Sequence, residues 1–141
     1  MKSENETRIE EKNAEFYKAL EAQSVQKMDA VWLQEEWVSC VHPGWEMIVG
    51  WKDVRSTWEK IFSGSQKMRV SPADVNVRSS GDIAWVTCVE NITVFQEDRF
   101  DSIQAVATNI YMNRNDAWML IHHHASPIPV IMAETATETV Q

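Results

Sequence analysis

Four histidines and one carboxylate are the residues of this chain best suited to proton chemistry or ligation. Three of the histidines are consecutive, His122, His123 and His124 in the run IHHHAS, and the fourth, His42, precedes Pro43-Gly44. In an extended strand successive side chains point to opposite faces. His122 and His124 then share a face with Trp118 and Leu120, while His123 joins Met119 and Ile121. A His-x-His pair can supply two of the three protein ligands of a catalytic zinc, with His42 as a third if it faces the same cavity. No carboxylate or thiol stands at ligand spacing, so two other readings compete. The imidazoles are hydrogen-bonded wall or interface residues, or one of them is a pocket acid or base titrating near neutral pH. No structural metal is expected.

Glu90 is the carboxylate. In AWVTCVENI it shares a strand face with Ala84, Val86, Cys88 and Ile92. A charge on an apolar face must be paired, hydrogen-bonded or protonated, because burying it bare is costly. One reading is a structural salt bridge to Arg69 or Arg78 on the neighbouring strand. The other is a pocket acid or base that points into or borders a cavity, with a raised pKa. Asn109 and Tyr111 lie on a face with Ala105 and Ala107, where small neighbours leave room for an amide and a phenol to meet a ligand. They serve strand pairing equally well. Trp32, Trp45, Trp51 and Trp58 supply large aromatic surface for a core or for a cavity wall.

These residues need elements to hold them. From Thr7 to about Val25, Ile9, Phe16, Tyr17 and Leu20 recur at helical spacing, with Glu10, Glu11, Lys12 and Glu15 on a solvated face. QKMDAVWLQEE predicts a second helix, and EWVSCVHPGW a strand ended by Pro43-Gly44. GWKDVRSTWEKIF returns to helical spacing through Val54, Trp58, Ile61 and Phe62, and Gly64 stops it. Four strands follow: KMRVSPADVNVRSS, IAWVTCVENITVFQ, SIQAVATNIYMN and AWMLIHHHASPI, separated by SGD, the acidic loop EDRFD and RND. Helices followed by meandering strands indicate an α+β domain, with helices on one face of a curved antiparallel sheet. A single domain is expected over residues 1–128, with 129–141 a tail or final extended segment.

Composition narrows the partners. Thirteen basic residues against twenty-one acidic ones give a net charge of −8, and no basic stripe exists to neutralise phosphates. Nucleic acid and anionic membranes are therefore excluded as expected partners. Cys40 and Cys88 form no CxxC, and their apolar settings predict buried free thiols in a reducing compartment. The polar N-terminus MKSENETRIEEK and the lack of a spanning apolar run predict a cytoplasmic protein.

The element order, with CVHPGWEMIVGWKDVRSTWEKIF, GDIAWVTCVENIT and ATNIYMNRNDAWMLIHHHASPI, resembles the SnoaL-like proteins of the nuclear transport factor 2-like, or ketosteroid-isomerase-like, superfamily. The resemblance covers about residues 7–128. It implies a cone, in which a strongly bent sheet wraps the first helix and opens at one end to a mostly apolar pocket. Members commonly dimerise through the outer sheet face. That fits apolar residues on both sides of one strand, Val106, Ile110 and Met112 against Ala105, Ala107 and Tyr111.

Two functions follow as expectations. One is a non-catalytic domain binding an apolar small molecule. The other is a cofactor-independent isomerase, cyclase or dehydratase acting on an apolar carbonyl compound. Glu90, His122 and His42 are then the candidate catalytic residues. Tyr17, Trp32, Trp45, Trp58, Asn109, Tyr111 and His124 are the candidate ligand contacts, with no metal and no cofactor.

Overall fold

Ser3 starts the first helix. Its hydroxyl accepts the Glu6 backbone N–H, and the Glu6 carboxylate accepts the Ser3 N–H in return, a reciprocal cap. The computed structural model describes residues 2–64 and 66–129. Helix α1 spans Glu4–Ala22, α2 Val25–Val31 and α3 Trp51–Phe62. The strands are β1 Ser39–Val41, β2 Ile48–Val49, β3 Lys67–Ser80, β4 Ile83–Gln96, β5 Arg99–Arg114 and β6 Ala117–Ile128. The first helix thus begins a turn before Thr7, because the cap at Ser3 satisfies the free N–H groups there. The second stops at Trp32, short of Glu36. The pair β2 was not anticipated, and β5 takes up Arg99–Asp101 from the expected acidic loop.

All six strands form one sheet in the order β2-β1-β6-β5-β4-β3. It is antiparallel except where β1 runs parallel to β6, with Cys40 opposite His123. This is the α+β architecture expected, with one parallel edge added. The long strands are joined by tight turns. Asn115 and Asp116 both take positive φ, 54° and 65°, as a two-residue hairpin of right-handed twist requires.

Helix α1 lies in the concave side of the sheet. Its buried stripe is Ile9, Asn13, Phe16, Tyr17 and Leu20, a polar residue standing among apolar ones. The sheet answers with Val70, Val77, Ala84, Val86, Cys88, Ala105, Ala107, Trp118, Leu120 and Ala125. The alanines of β5 matter here, because small side chains let the helix approach the sheet closely. Arg55 ties α3 to α2 through two bonds to Asp29, Nε–Oδ1 2.7 Å and Nη2–Oδ2 3.0 Å. Both cysteines are buried and free. Among the described residues, no helix is long and apolar enough to cross a membrane. Residues 130–141, most of the expected tail, lie outside the described residues.

Gly50 fixes the entry into α3. Its φ is +97°, its N–H donates to Val38 O at 2.7 Å, and a Cβ placed on it would stand 3.3 Å from Glu36 O. Gly50→Ala is expected to cost about 1–3 kcal/mol through left-handed strain and this backbone contact. Urea denaturation measures it; an unchanged midpoint would show that the loop yields freely.

Candidate functional site

A cavity of about 230 Å³ lies between α1, α3 and the sheet. Its wall is mostly apolar: Leu20, Pro43, Trp45, Trp58, Ile61, Met68, Val70, Ile92, Val94 and Ile103, contributed by α1, α3, three long strands and the β1–β2 loop. Three titratable groups interrupt this wall, Glu90, His42 and His123. All three are buried, at 2%, 3% and 1% exposure.

Glu90 reaches this position because β4 alternates strictly, sending Val86, Cys88, Glu90 and Ile92 inward. Its partner is Tyr17, whose hydroxyl donates to Oε2 at 2.7 Å. Burial raises the Glu90 carboxyl from its ordinary 4.5 to about 7, and the Tyr17 hydrogen bond opposes that shift. The salt-bridge reading of Glu90 is corrected. Arg69 pairs with Thr93 and Arg78 with Trp85, positions on the outer face, and the Arg78 guanidinium bonds its neighbour Val77 O. A residue one step along a strand faces away, so neither arginine can meet an inward carboxylate.

Behind Glu90 runs a buried chain of polar groups. The Tyr111 hydroxyl donates to Asn13 Oδ1 at 2.7 Å. Asn109 Nδ2 donates to Asn13 Oδ1 at 3.0 Å and to the Tyr17 hydroxyl at 3.1 Å. Asn109 Oδ1 meets His123 Nδ1 at 2.6 Å, and His123 Nε2 lies 3.9 Å from Glu90 Oε2. Tyr17 also touches Cys88 Sγ at 3.2 Å. Burial pushes both phenols well above their usual range and the Cys88 thiol up to about 11, so none of them ionises near neutral pH.

His42 is held differently. Its Nε2 is 2.8 Å from Thr57 Oγ1, and that hydroxyl donates to Val54 O at 2.7 Å. Thr57 has therefore spent its proton, and His42 Nε2 is the donor. Burial lowers the His42 pKa from 6.5 to about 4, leaving it neutral. Trp45 and Trp58 flank its ring edge-to-face, at 4.9 and 4.5 Å between centroids.

The expected faces of the consecutive histidines are reversed at the site. His123 points inward and is buried; His122 is half-buried and His124 exposed on the outer side. The cause is a bulge. Ile110 pairs with His122 but Tyr111 pairs with Leu120, so Ile121 is an extra residue and the alternation inverts after it. Trp118 and Leu120 stay inside, and His123 and Ala125 join them. Outside, His122 Nδ1 bonds Ser39 Oγ at 2.7 Å. The His122, His124 and His42 grouping as zinc ligands is thereby undone, and among the described residues no cluster of three or more ligating side chains is present.

The other candidates divide. Trp45 and Trp58 line the cavity. Tyr17, Asn109 and Tyr111 stand behind its floor as supports rather than as wall. Trp32 is buried beside Trp51, 5.8 Å between centroids, away from the cavity. Asn13, His123 and Thr57 were missed. Asn13 had a readable signal, a polar residue four positions after Ile9 and four before Tyr17 on an apolar stripe. Thr57 had none.

Comparison with known proteins agrees with this fold. The family model of the SnoaL-like domain matches residues 9–131. A candidate dehydratase of the nuclear transport factor 2-like family from Streptomyces avermitilis is 31% identical, superposes with a TM-score of 0.82, and covers 89% of this chain and 97% of its own. A candidate calcium/calmodulin-dependent protein kinase type II association domain from Thiobacillus denitrificans is 28% identical, with a TM-score of 0.73 over 85% of this chain and 94% of that one. F-box protein SKIP8 of Arabidopsis thaliana is 29% identical over 114 residues, 81% of this chain and 47% of that protein. The chain thus spans about half the length of the curated relative it matches. The match over almost the whole described fold shows that this chain belongs to the SnoaL-like domain family.

Proposed function

We propose that this SnoaL-like domain binds a small, mostly apolar molecule in the cone, with Glu90 as the polar anchor. One observation carries this reading: a buried carboxyl with a raised pKa facing an apolar cavity of about 230 Å³. A concave apolar site with few convergent polar groups is the usual form of a ligand pocket. The aromatic wall of Trp45, Trp58 and His42 suits a flat or cyclic molecule.

A second reading, a cofactor-independent isomerase, cyclase or dehydratase, rests on the same carboxyl. With a pKa of about 7, Glu90 can give and take a proton near neutral pH. Tyr17 and the neutral His123 stand beside it, and the resemblance to a candidate dehydratase points the same way. His42, donating to Thr57, is a wall group in this scheme, and His122 and His124 take no part in it.

The same proposal includes a homodimer through the outer sheet face. Trp85, Phe95, Phe100 and Val106 are exposed there, at 39%, 41%, 58% and 49%. A second copy would cover these large side chains, and a kinase association domain shares the fold.

Native mass spectrometry of the purified protein in a metabolite extract tests both parts. The expected spectrum is a dimer of 16.2 kDa chains carrying small apolar adducts, which Val94→Trp abolishes by filling the cavity. Adducts that persist in Val94→Trp place the ligand elsewhere, and a monomer at micromolar concentration removes the dimer.

A further inference from the structure

The buried polar chain has a direction, and the direction constrains the ligand. Among the described residues the Tyr111 hydroxyl has one partner, Asn13 Oδ1. A fully buried O–H must donate, so the acceptor end of Asn13 is set. The Asn109 atom 3.0 Å from that acceptor is then its amide nitrogen. Its oxygen accordingly faces His123 Nδ1 at 2.6 Å, and only an N–H there makes a bond. Reversing both amides would leave Tyr111 without an acceptor. His123, kept neutral first by burial and then by the other histidines, therefore carries its proton on Nδ1. Its Nε2 presents a lone pair.

That lone pair looks toward Glu90. The two groups stand 3.9 Å apart, too far for a hydrogen bond of ordinary length, and both line the cavity. Tyr17 donates to Glu90 Oε2, since Asn109 donates to Tyr17. Below its raised pKa of about 7, burial keeps a proton on Glu90. The floor thus offers one donor, the Glu90 carboxyl, and one acceptor, His123 Nε2. Because Tyr17 donates to Oε2, the Glu90 proton sits on Oε1 of a carboxyl whose Oε2 is 3.9 Å from His123 Nε2. A ligand atom bonded to both groups bridges Oε1 and Nε2, and the atom that both accepts and donates is a hydroxyl oxygen.

We propose that the molecule bound in the cone carries a hydroxyl group, an alcohol or enol on an otherwise apolar frame, whose oxygen seats between Glu90 and His123. This rests on the reading of the cone as a small-molecule site. A carbonyl oxygen would satisfy Glu90 and leave His123 Nε2 unpaired. An ammonium would satisfy His123 and oppose the proton on Glu90. The hydroxyl satisfies both, and Asn109 is the positioning residue that fixes the tautomer of His123.

The test compares 2-naphthol with naphthalene, 2-fluoronaphthalene, 2-naphthaldehyde and 2-naphthylmethylamine by titration calorimetry at about pH 6, where Glu90 holds its proton. The expected result is that 2-naphthol binds about tenfold or more tighter than every other probe, and that His123→Leu removes the preference while naphthalene still binds. In the wild-type protein, long-range proton–nitrogen NMR should show His123 with its proton on Nδ1, and 2-naphthol should shift the Nε2 resonance alone. Equal affinity for the hydroxyl and fluoro probes overturns the proposal, as does tightest binding of the aldehyde or the amine. A proton on Nε2 of His123 overturns it without any variant. If naphthalene and all its derivatives fail to bind, the ligand-pocket reading itself falls, a separate outcome.

Discussion

Glu90→Gln is expected to leave ligand binding in place, to lower any turnover by about 10²-fold or more, and to stabilise the fold above neutral pH. Glutamine keeps the shape of the side chain and an oxygen for the Tyr17 hydroxyl, but it has no proton to give or take. The stability effect follows from linkage. Glu90 has a folded pKa of about 7 against an ordinary 4.5, so its neutral form is favoured by folding. Below about pH 4.5 the carboxyl is neutral in both states and costs nothing. Between about 4.5 and 7 the unfolded chain has released this proton while the folded protein keeps it, so stability falls by up to about 3 kcal/mol across that window and levels off above it, where the folded protein holds a buried charge. At 2% exposure little of that is screened by solvent. The glutamine amide of the variant does not titrate.

The stability difference between Glu90→Gln and the wild type should therefore grow by about 2 kcal/mol from pH 5 to pH 8, most of it before pH 7. His42 and His123 have lowered pKa values and act on the other limb. They weaken both proteins as pH falls below about 6.5 and cancel in the difference. Urea melts across that range provide the measurement. Parallel profiles for the two proteins would show that Glu90 carries no buried charge penalty, and would remove the main support for acid–base work at this site.

Asn13→Leu is expected to destabilise the fold by about 2–5 kcal/mol, far more than its position on a helix suggests. It strands the Tyr111 hydroxyl and one Asn109 N–H, both buried, and each orphaned donor costs about 1–3 kcal/mol. Tyr111→Phe should cost only about 1 kcal/mol, since Asn13 Oδ1 keeps its bond from Asn109. The double variant should be less damaged than the sum, because phenylalanine no longer demands an acceptor. Additive losses in denaturation would mean that the two side chains are uncoupled, and that the direction assigned to the chain of amides is wrong.

Much of this protein was readable before any coordinates. The alternation in β4 placed Glu90 with Val86, Cys88 and Ile92, and the structure keeps that face unchanged because β4 pairs with β5 in unbroken register. The helical stripe of α3 and the turn residues Gly81 and Asn115-Asp116 likewise act over a few residues, so local sequence suffices to set them. The resemblance added the cone itself, which no local pattern contains.

The histidines mark where local reasoning ends. Alternation along IHHHAS assigned His122 to the pocket and His123 away from it. A single extra residue at Ile121, decided by how β6 meets β5 and β1, turned His123 inward. Nothing in three identical side chains could signal which one the bulge selects. Asn109 and Tyr111 were singled out and Asn13 was not, and Asn13 and Asn109 are ninety-six residues apart in the chain. Sequence alone determined which faces are buried where an element runs without a bulge, as in α1, α3 and β4, because burial there follows a local period. Only the tertiary structure decided which polar groups meet on them, because hydrogen-bond partners are set by strand register and by where α1 crosses the sheet.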